Sequence, residues 1–410
     1  MDKDEIVKKK KQRQLLRRVL SPIRYARAAA RIIWKHLCFK FTKVNQQKVL
    51  MTTFQGGFCC NPKYIYEEIK RQNLPWEIVW ITEPSKFVNK NDFPEGLRLV
   101  PWYSMRYYYE LATSRVWIAN ALTLTRTAVI KRKKQIFIQT MHGSLGIKRL
   151  DEAAVNDKIH TNAAKRASLM TDYLISNSTF ENEVYQSTAW GNVPILEYGH
   201  PRSDVFFLED EAEKEKIRLK VFDYFNLPKD AKIVLYAPTF TDIKMDIDGT
   251  EKIDSELILQ TLEKTYGGNW YFITKMHPRD KRFTKETKEM TGKILDGNRY
   301  PDIQELMLAI DIGITDYSSW IYDYILTRKA GFIFAPDLDV YDDFRGFYYP
   351  IDETPFPISR SNAELVKQIK KFNNEKYQKK IDKFLIERGC FEKGDASKRT
   401  VEKIKELMQK

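Results

Sequence analysis

The chain has 410 residues, 43% hydrophobic and 30% charged, a globular composition long enough for two cores. Its four cysteines, Cys38, Cys59, Cys60 and Cys390, show no zinc or redox spacing, and no window holds the eighteen or more apolar residues of a spanning helix or the apolar core of a signal peptide. These features point to a reduced, cytoplasmic protein. The net charge is +14, and residues 1–43 carry a surplus of eleven, fourteen Lys/Arg against Asp2, Asp4 and Glu5.

In chain order the first element is this basic segment, residues 1–46. Ser21-Pro22 reads as an N-cap followed by proline at the first helical position. Ile23, Ala26, Ala30, Ile33, Trp34, Leu37 and Phe41 then fall on one helical face, bordered by Arg24, Arg27, Arg31 and Lys35. A cationic amphipathic helix with aromatic residues on its apolar edge is suited to an anionic membrane surface. Docking on its own domain fits the same pattern and is compatible with it. Nucleic acid is the weakest reading, because the rest of the chain lacks an aromatic-interleaved basic surface.

From residue 47 short apolar runs alternate with helical patterns. Strands are expected at Lys48–Thr53, Glu77–Thr82, Val116–Asn120, Gln135–Gln139, Tyr173–Ser176 and Ile195–Tyr198, and helices at Pro62–Arg71, Ser104–Ser114 and Phe180–Trp190. A second series has strands Ile233–Tyr236, Trp270–Lys275, Asp311–Thr315 and Gly331–Phe334, with helices Ser255–Tyr266, Ile303–Ala309 and Ser319–Thr327. Continuously apolar strands alternating with helices predict two doubly wound, Rossmann-like α/β domains, 47–207 and 208–410, with the charged stretch from Leu208 as the seam. The helical tail from Asn362 is expected to fold back across both domains.

Ligands of open parallel sheets bind beyond the carboxyl ends of the strands. His142-Gly143 follows one expected strand and His277-Pro278-Arg279 another, suggesting one imidazole on each wall of an interdomain cleft, for acid–base work or for phosphate charge. Either histidine alone would read as a loop residue with a local hydrogen bond. Asp316-Tyr317-Ser318-Ser319 lies where a strand meets a helix start, which can cap the helix and can also hold an anion. Arg345-Gly346-Phe347, in an acidic aromatic loop, is a candidate phosphate or acceptor clamp, and Arg202 and Asp204 stand at another strand end. There is no P-loop, GxGxxG, GxSxG or HExxH. No ligand spacing demands a metal, so no cofactor is expected, and the need for a divalent ion stays open. Phosphoryl binding without a P-loop between two doubly wound domains points to the GT-B arrangement of nucleotide-donor transferases.

The strings NPKYIYEEI (61–69), QTMHGSLGIKRL (139–150), DYLISNSTFENEVY (172–185), YGHPRSD (198–204), VLYAPTF (234–240), ITKMHP (273–278), the long block from Asp302 to Phe334 containing ITDYSS, and DLDVYDDFRGFYYPID (337–352) together resemble the CDP-glycerol glycerophosphotransferase family of teichoic-acid synthesis. The resemblance runs in order from about residue 47 to 352. It implies a GT-B-like fold, with CDP-glycerol or CDP-ribitol held by the second domain and a lipid-linked (undecaprenyl diphosphate) saccharide acceptor approaching the first. By the same resemblance His142 is the general base, and His277, with Arg279, meets the donor phosphates. Ser318 and Ser319 cradle the phosphates, Asp316 orders their turn, and Arg345 belongs to the RGF segment. Gly143, Arg202 and Asp204 line the cleft or support it. The acceptor hydroxyl would attack the β-phosphorus and release CMP, and the modest chain length leans toward priming by a single addition. One departure stands out: Ser144-Leu145-Gly146-Ile147-Lys148 replaces the Thr-Pro and Lys that commonly follow the family's His-Gly, which could reflect a different acceptor. A GT-B glycosyltransferase acting on a nucleotide sugar, or a non-catalytic membrane-surface scaffold, are the competing readings. Oligomeric state is not encoded in any of these features.

Overall fold

A computed structural model describes residues 25–83, 88–122, 124, 131–149, 158–239, 251–276 and 292–409. The sequence expectations for Arg24, His277 and Arg279 lie outside the described residues.

The first domain is a seven-stranded parallel sheet in the order β3-β2-β1-β4-β5-β6-β7. Its strands are β1 (Asn45–Thr52), β2 (Glu77–Thr82), β3 (Arg98–Pro101), β4 (Ser114–Ala119), β5 (Ile136–Gln139), β6 (Tyr173–Ser176) and β7 (Ile195–Glu197). Helix α1 (25–41) precedes the sheet, and α2 (Cys60–Arg71), α3 (Met105–Thr113), α4 (Lys158–Ser168) and α5 (Thr179–Gln186) connect its strands. Every residue of β4 and β5 is buried, as expected of central strands covered on both faces. Two apolar layers sit on the two faces: Val49, Met51, Trp80 and Ile118 in one, Leu50, Val79, Trp117 and Phe137 in the other. Because side chains alternate along a strand, consecutive residues of β1 and β4 feed opposite layers.

Helix α6 (Glu211–Phe225) lies in the chain between the first sheet and the second domain. Its six-stranded parallel sheet has the order β10-β9-β8-β11-β12-β13, built from β8 (Ala231–Tyr236), β9 (Asn269–Thr274), β10 (Ile294–Asp296), β11 (Ile312–Thr315), β12 (Ala330–Phe334) and β13 (Ile358–Ser359). Helices α7 (Ser255–Tyr266), α8 (Ile303–Ala309), α9 (Trp320–Tyr324) and α10 (Leu338–Arg345) lie between these strands, and α11 (Asn362–Lys370), α12 (Asn374–Glu387) and α13 (Ala396–Gln409) follow. The short edge strands β3, β10 and β13 are additions to the sequence expectation. Each is two to four residues long and lacks a sustained apolar run. The Arg345-Gly346-Phe347 segment, expected to be a loop, instead ends a helix: Gly346 caps α10 with φ +74°, a conformation glycine adopts without Cβ strain.

The tail does not stay with the second domain. Helix α13 inserts Val401, Ile404 and Leu407 into the core layer of the first sheet. Arg115 Nη2 donates to Leu407 O at 2.8 Å. The Asp204 carboxylate receives the main-chain N–H groups of Ala396 (3.0 Å) and Ser397 (2.7 Å), capping the start of this helix from 192 residues away. A second tie lies between α2 and α8. Buried Lys63 Nζ meets Asp302 at 2.5 Å and Glu305 at 2.6 Å, while Tyr64 donates its hydroxyl to Asp302 at 3.0 Å.

Candidate active site

Both sheets have the doubly wound strand order, so each has a switch point where its connections reverse direction and open a crevice. In the first domain it falls between β1 and β4, and His142 arrives there from the neighbouring β5. Its Nδ1 lies 2.6 Å from the main-chain oxygen of Asn120, just beyond β4. A carbonyl only accepts, so Nδ1 is the donor and the neutral ring carries its lone pair on Nε2. The ring stacks on Phe54, just beyond β1, with centroids 5.9 Å apart. Phe54 N in turn donates to the Asn120 side-chain oxygen at 2.7 Å.

The loop carrying His142 is held on both sides. Met141 has φ +49°, a costly conformation for a residue with a long side chain. Asn61, at the start of α2, donates its amide to the carbonyls of Thr140 and Met141, each at 3.0 Å. The Gly143 carbonyl accepts from Arg202 Nη2, and Ser144 Oγ accepts from Asn177 Nδ2 at 3.0 Å. Gly143 and Arg202 therefore stand at the site, whereas Asp204 sits at the α13 terminus.

The unusual residues after Gly143 form a strap into the second domain. Leu145 and Ile147 are buried in that domain's apolar cluster. Tyr349 donates its hydroxyl to Leu145 O at 2.5 Å, Tyr348 N to Ile147 O at 2.8 Å, and Arg149 N to Gly346 O at 3.3 Å. A Cβ on Gly146 would come within 3.0 Å of Ser319 Cβ, so glycine is what lets the strap lie against that serine. The first domain's histidine loop and the second domain's serine turn are thereby packed together.

Ser318 and Ser319 stand at the second switch point, between β8 and β11, and both are half-buried. Ser319 occupies the cap position of α9 with helical backbone angles, and its side chain makes no capping bond. Asp316 accepts from Thr239 N at 2.7 and 2.9 Å and from Tyr317 N, which ties the turn to the segment after β8. Burial pushes the Asp316 carboxyl up from its ordinary value, while the Thr239 N–H and Lys148 pull the other way. Arg345 is the last residue of α10, immediately before the Gly346 that meets the strap. At the end of β9, Lys275 donates to the carbonyls of Gly297 (3.1 Å) and Tyr300 (2.7 Å), and its enclosed surroundings push its ammonium down to about 8. Among the described residues no group of three His, Cys, Asp or Glu could hold a metal ion.

Sequence reasoning did not single out Phe54, Asn120 or Asn177, which lie near strand ends where only the folded sheet makes them neighbours. Asn61 opened a quoted motif, but its amide's grip on the histidine loop was not legible. His200, within the YGHPRSD string, is fully buried with Nε2 3.1 Å from Glu181. The pairing with Glu181 raises its pKa, against burial acting in the opposite sense.

Helix α1 is docked on the first domain. Trp34 Nε1 donates to Met105 O at 2.8 Å, Cys38 is buried, and Arg132 donates to the carbonyls of Cys38, Phe39 and Thr42 at the helix end. Trp34 thus turns onto the protein, as the docking reading of the apolar face allows. Tyr25 (76% exposed), Ile33 (60%), Leu37 and Phe41 (68%) remain outside, with Arg27 and Arg31 also exposed and Lys35 half-buried. No described helix is long and apolar enough to cross a membrane.

Comparison with known proteins agrees with this geometry. The family model for CDP-Glycerol:Poly(glycerophosphate) glycerophosphotransferase matches residues 34–406. The chain is 30% identical to the teichoic acid poly(glycerol phosphate) polymerase of Bacillus spizizenii, covering 88% of this chain and 92% of that one. It is 25% identical to the teichoic acid glycerol-phosphate transferase of Staphylococcus aureus, covering 88% and 93%. Of longer polymerases from Staphylococcus epidermidis and Bacillus subtilis it spans 50% and 49%, and a poly(ribitol-phosphate) polymerase is also among its relatives. A solved structure of a variant of the wall teichoic acid polymerase TagF, soaked with CDPG, superposes with a TM-score of 0.79 at 28% identity and 97% coverage of both chains. A domain pair of this order, with the histidine loop strapped to the serine turn and a family match over nearly the whole length, establishes that the chain belongs to the CDP-glycerol:poly(glycerophosphate) glycerophosphotransferase family.

Proposed function

We propose that the chain moves glycerol phosphate from CDP-glycerol to a hydroxyl of a lipid-linked saccharide at the cytoplasmic face of the membrane, releasing CMP. The observation that carries this reading is the anchoring of His142 Nδ1 by Asn120 O, which leaves Nε2 as the basic nitrogen in the neutral ring. His142 takes the proton of the acceptor hydroxyl as it attacks the β-phosphorus in line. The Ser318-Ser319 turn, Arg345, His277 and Arg279 receive the donor phosphates and the charge that builds on them. The P–O bond to the acceptor forms as the bond to the CMP oxygen breaks. No resident cofactor is invoked, and CMP release with and without EDTA tests any call for a divalent ion. The exposed apolar edge and arginines of α1 bring the enzyme to anionic lipid without crossing it.

Glycerol is favoured as the donor alditol because the poly(glycerol phosphate) polymerases among the relatives match at 29–30% identity and the ribitol-phosphate relatives at 25–27%. Chain length does not favour priming, since a polymerase is matched over 92% of its own length. The deciding experiment offers CDP-glycerol, CDP-ribitol and a panel of nucleotide sugars with a lipid-linked disaccharide. CMP release only with CDP-glycerol supports the reading. Turnover of a nucleotide sugar instead rejects it, and product mass distinguishes one added unit from many.

A further inference from the structure

The two halves of the site are joined by a buried ion pair that no role assigned so far uses. Arg202 comes from the first domain and its side chain is fully enclosed. Its Nε donates to Asp323 Oδ2 at 2.9 Å, its Nη1 lies 3.4 Å from Cys60 Sγ, and its Nη2 donates to the Gly143 carbonyl. The main-chain N of Arg202 donates to Asn61 Oδ1 at 3.1 Å, and Asn61 holds the carbonyls of Thr140 and Met141. Arg202 and Asn61 therefore grip the backbone on both sides of His142. Asp323 lies on α9, four residues beyond Ser319 and so one helical turn along the same face.

We infer that Arg202 and Asp323 are positioning residues which set the His142 loop at a fixed distance from the Ser318-Ser319 turn. A buried ion pair is weak evidence for stability, because desolvation offsets much of its attraction. A planar guanidinium bonded at the same time to a carboxylate and a carbonyl specifies geometry, which a lysine ammonium does not reproduce. Helix α9 has other anchors: Trp320 Nε1 donates to Ala237 O at 2.7 Å, and Tyr322 and Tyr324 are buried. Loss of the pair therefore falls on the Gly143 carbonyl and the adjacent imidazole, leaving the serine turn in place.

The inference rests on His142 acting as the base, and the test separates the two. The full chain is prepared as Arg202→Lys, as Asp323→Asn, as the double substitution Arg202→Met with Asp323→Leu, and as His142→Ala. The double substitution removes both charges, so no unpaired ion is left buried. Folding is followed by thermal melting, donor affinity by calorimetry with CDP-glycerol alone, and turnover by CMP release. The double variant is expected to fold, to bind CDP-glycerol within about threefold of the parent, and to lose about 10²-fold in kcat, the size of effect a 1 Å misplacement produces. Folded pair variants with parental kcat overturn the inference, as does a loss that appears wholly as weaker donor binding. Failure of all three pair variants to fold also overturns it, assigning the pair to stability. Full activity in His142→Ala instead removes the base assignment itself, whatever the pair variants do.

Discussion

The imidazole of His142 is fixed through Nδ1 to the backbone oxygen of Asn120 at 2.6 Å, a bond that selects one tautomer before any substrate arrives. His142→Ala is expected to lower CMP release by about 10²–10⁴-fold, the range of general-base catalysis, while CDP-glycerol still binds. Single-turnover CMP release and calorimetric titration of the donor check the two halves of this statement.

The Ser319 side chain makes no capping bond, so its loss should not unwind α9. Ser318→Ala combined with Ser319→Ala should leave the melting temperature nearly unchanged and lower kcat by about 10²-fold, as for removal of donors aimed at developing charge. An unchanged kcat would take the phosphate role away from this turn.

Glu305, bonded to Lys63, Lys220 and Tyr300, is held down to about 2 against an ordinary value of 4.5, with burial opposing its basic neighbours. A depressed carboxylate contributes stability that is present above its unfolded value and is lost as pH falls from about 4.5 toward 2. Urea midpoints measured across that window should fall more steeply for the parent than for Glu305→Gln, which should be less stable at neutral pH.

Asp204 receives two main-chain N–H groups at the start of α13. Asp204→Ala should cost about 1 kcal/mol, the usual worth of a helix cap, and free the terminal helix to exchange its amides faster. Hydrogen exchange over 396–409 reads this directly, with kcat per folded molecule retained.

The exposed cationic edge of α1 predicts salt-sensitive membrane attachment. Arg27→Glu with Arg31→Glu should release the protein from anionic vesicles in a sedimentation assay and leave binding of soluble CDP-glycerol intact. Equal sedimentation with neutral and anionic vesicles would dismiss the electrostatic part of the reading.

Much of the fold was legible. Glu77–Thr82, Tyr173–Ser176, Ser255–Tyr266 and Ile303–Ala309 run over the same residues in chain and structure, because a buried parallel strand needs an unbroken apolar run and a packed helix needs a one-sided one. The edge strands β3, β10 and β13 were not, since each lacks a sustained apolar run. That Trp34 docks on the protein was left open by the sequence, because a wheel records direction and not which neighbour lies there; Met105, 71 residues away, supplies the carbonyl.

By itself the sequence determined two doubly wound domains, a basic amphipathic entrance and the polar residues that follow the strands, among them His142 and the Ser318-Ser319 turn. Those properties are local, written in periodicity and in what may follow a strand. Only the tertiary structure decided which polar residues meet. Phe54, Asn61, Asn120 and Arg202 converge on one histidine loop from four separate segments, and Asp323 meets Arg202 from the other domain. Contacts of that kind depend on strand order and on the docking of one sheet against another, which no window of sequence contains.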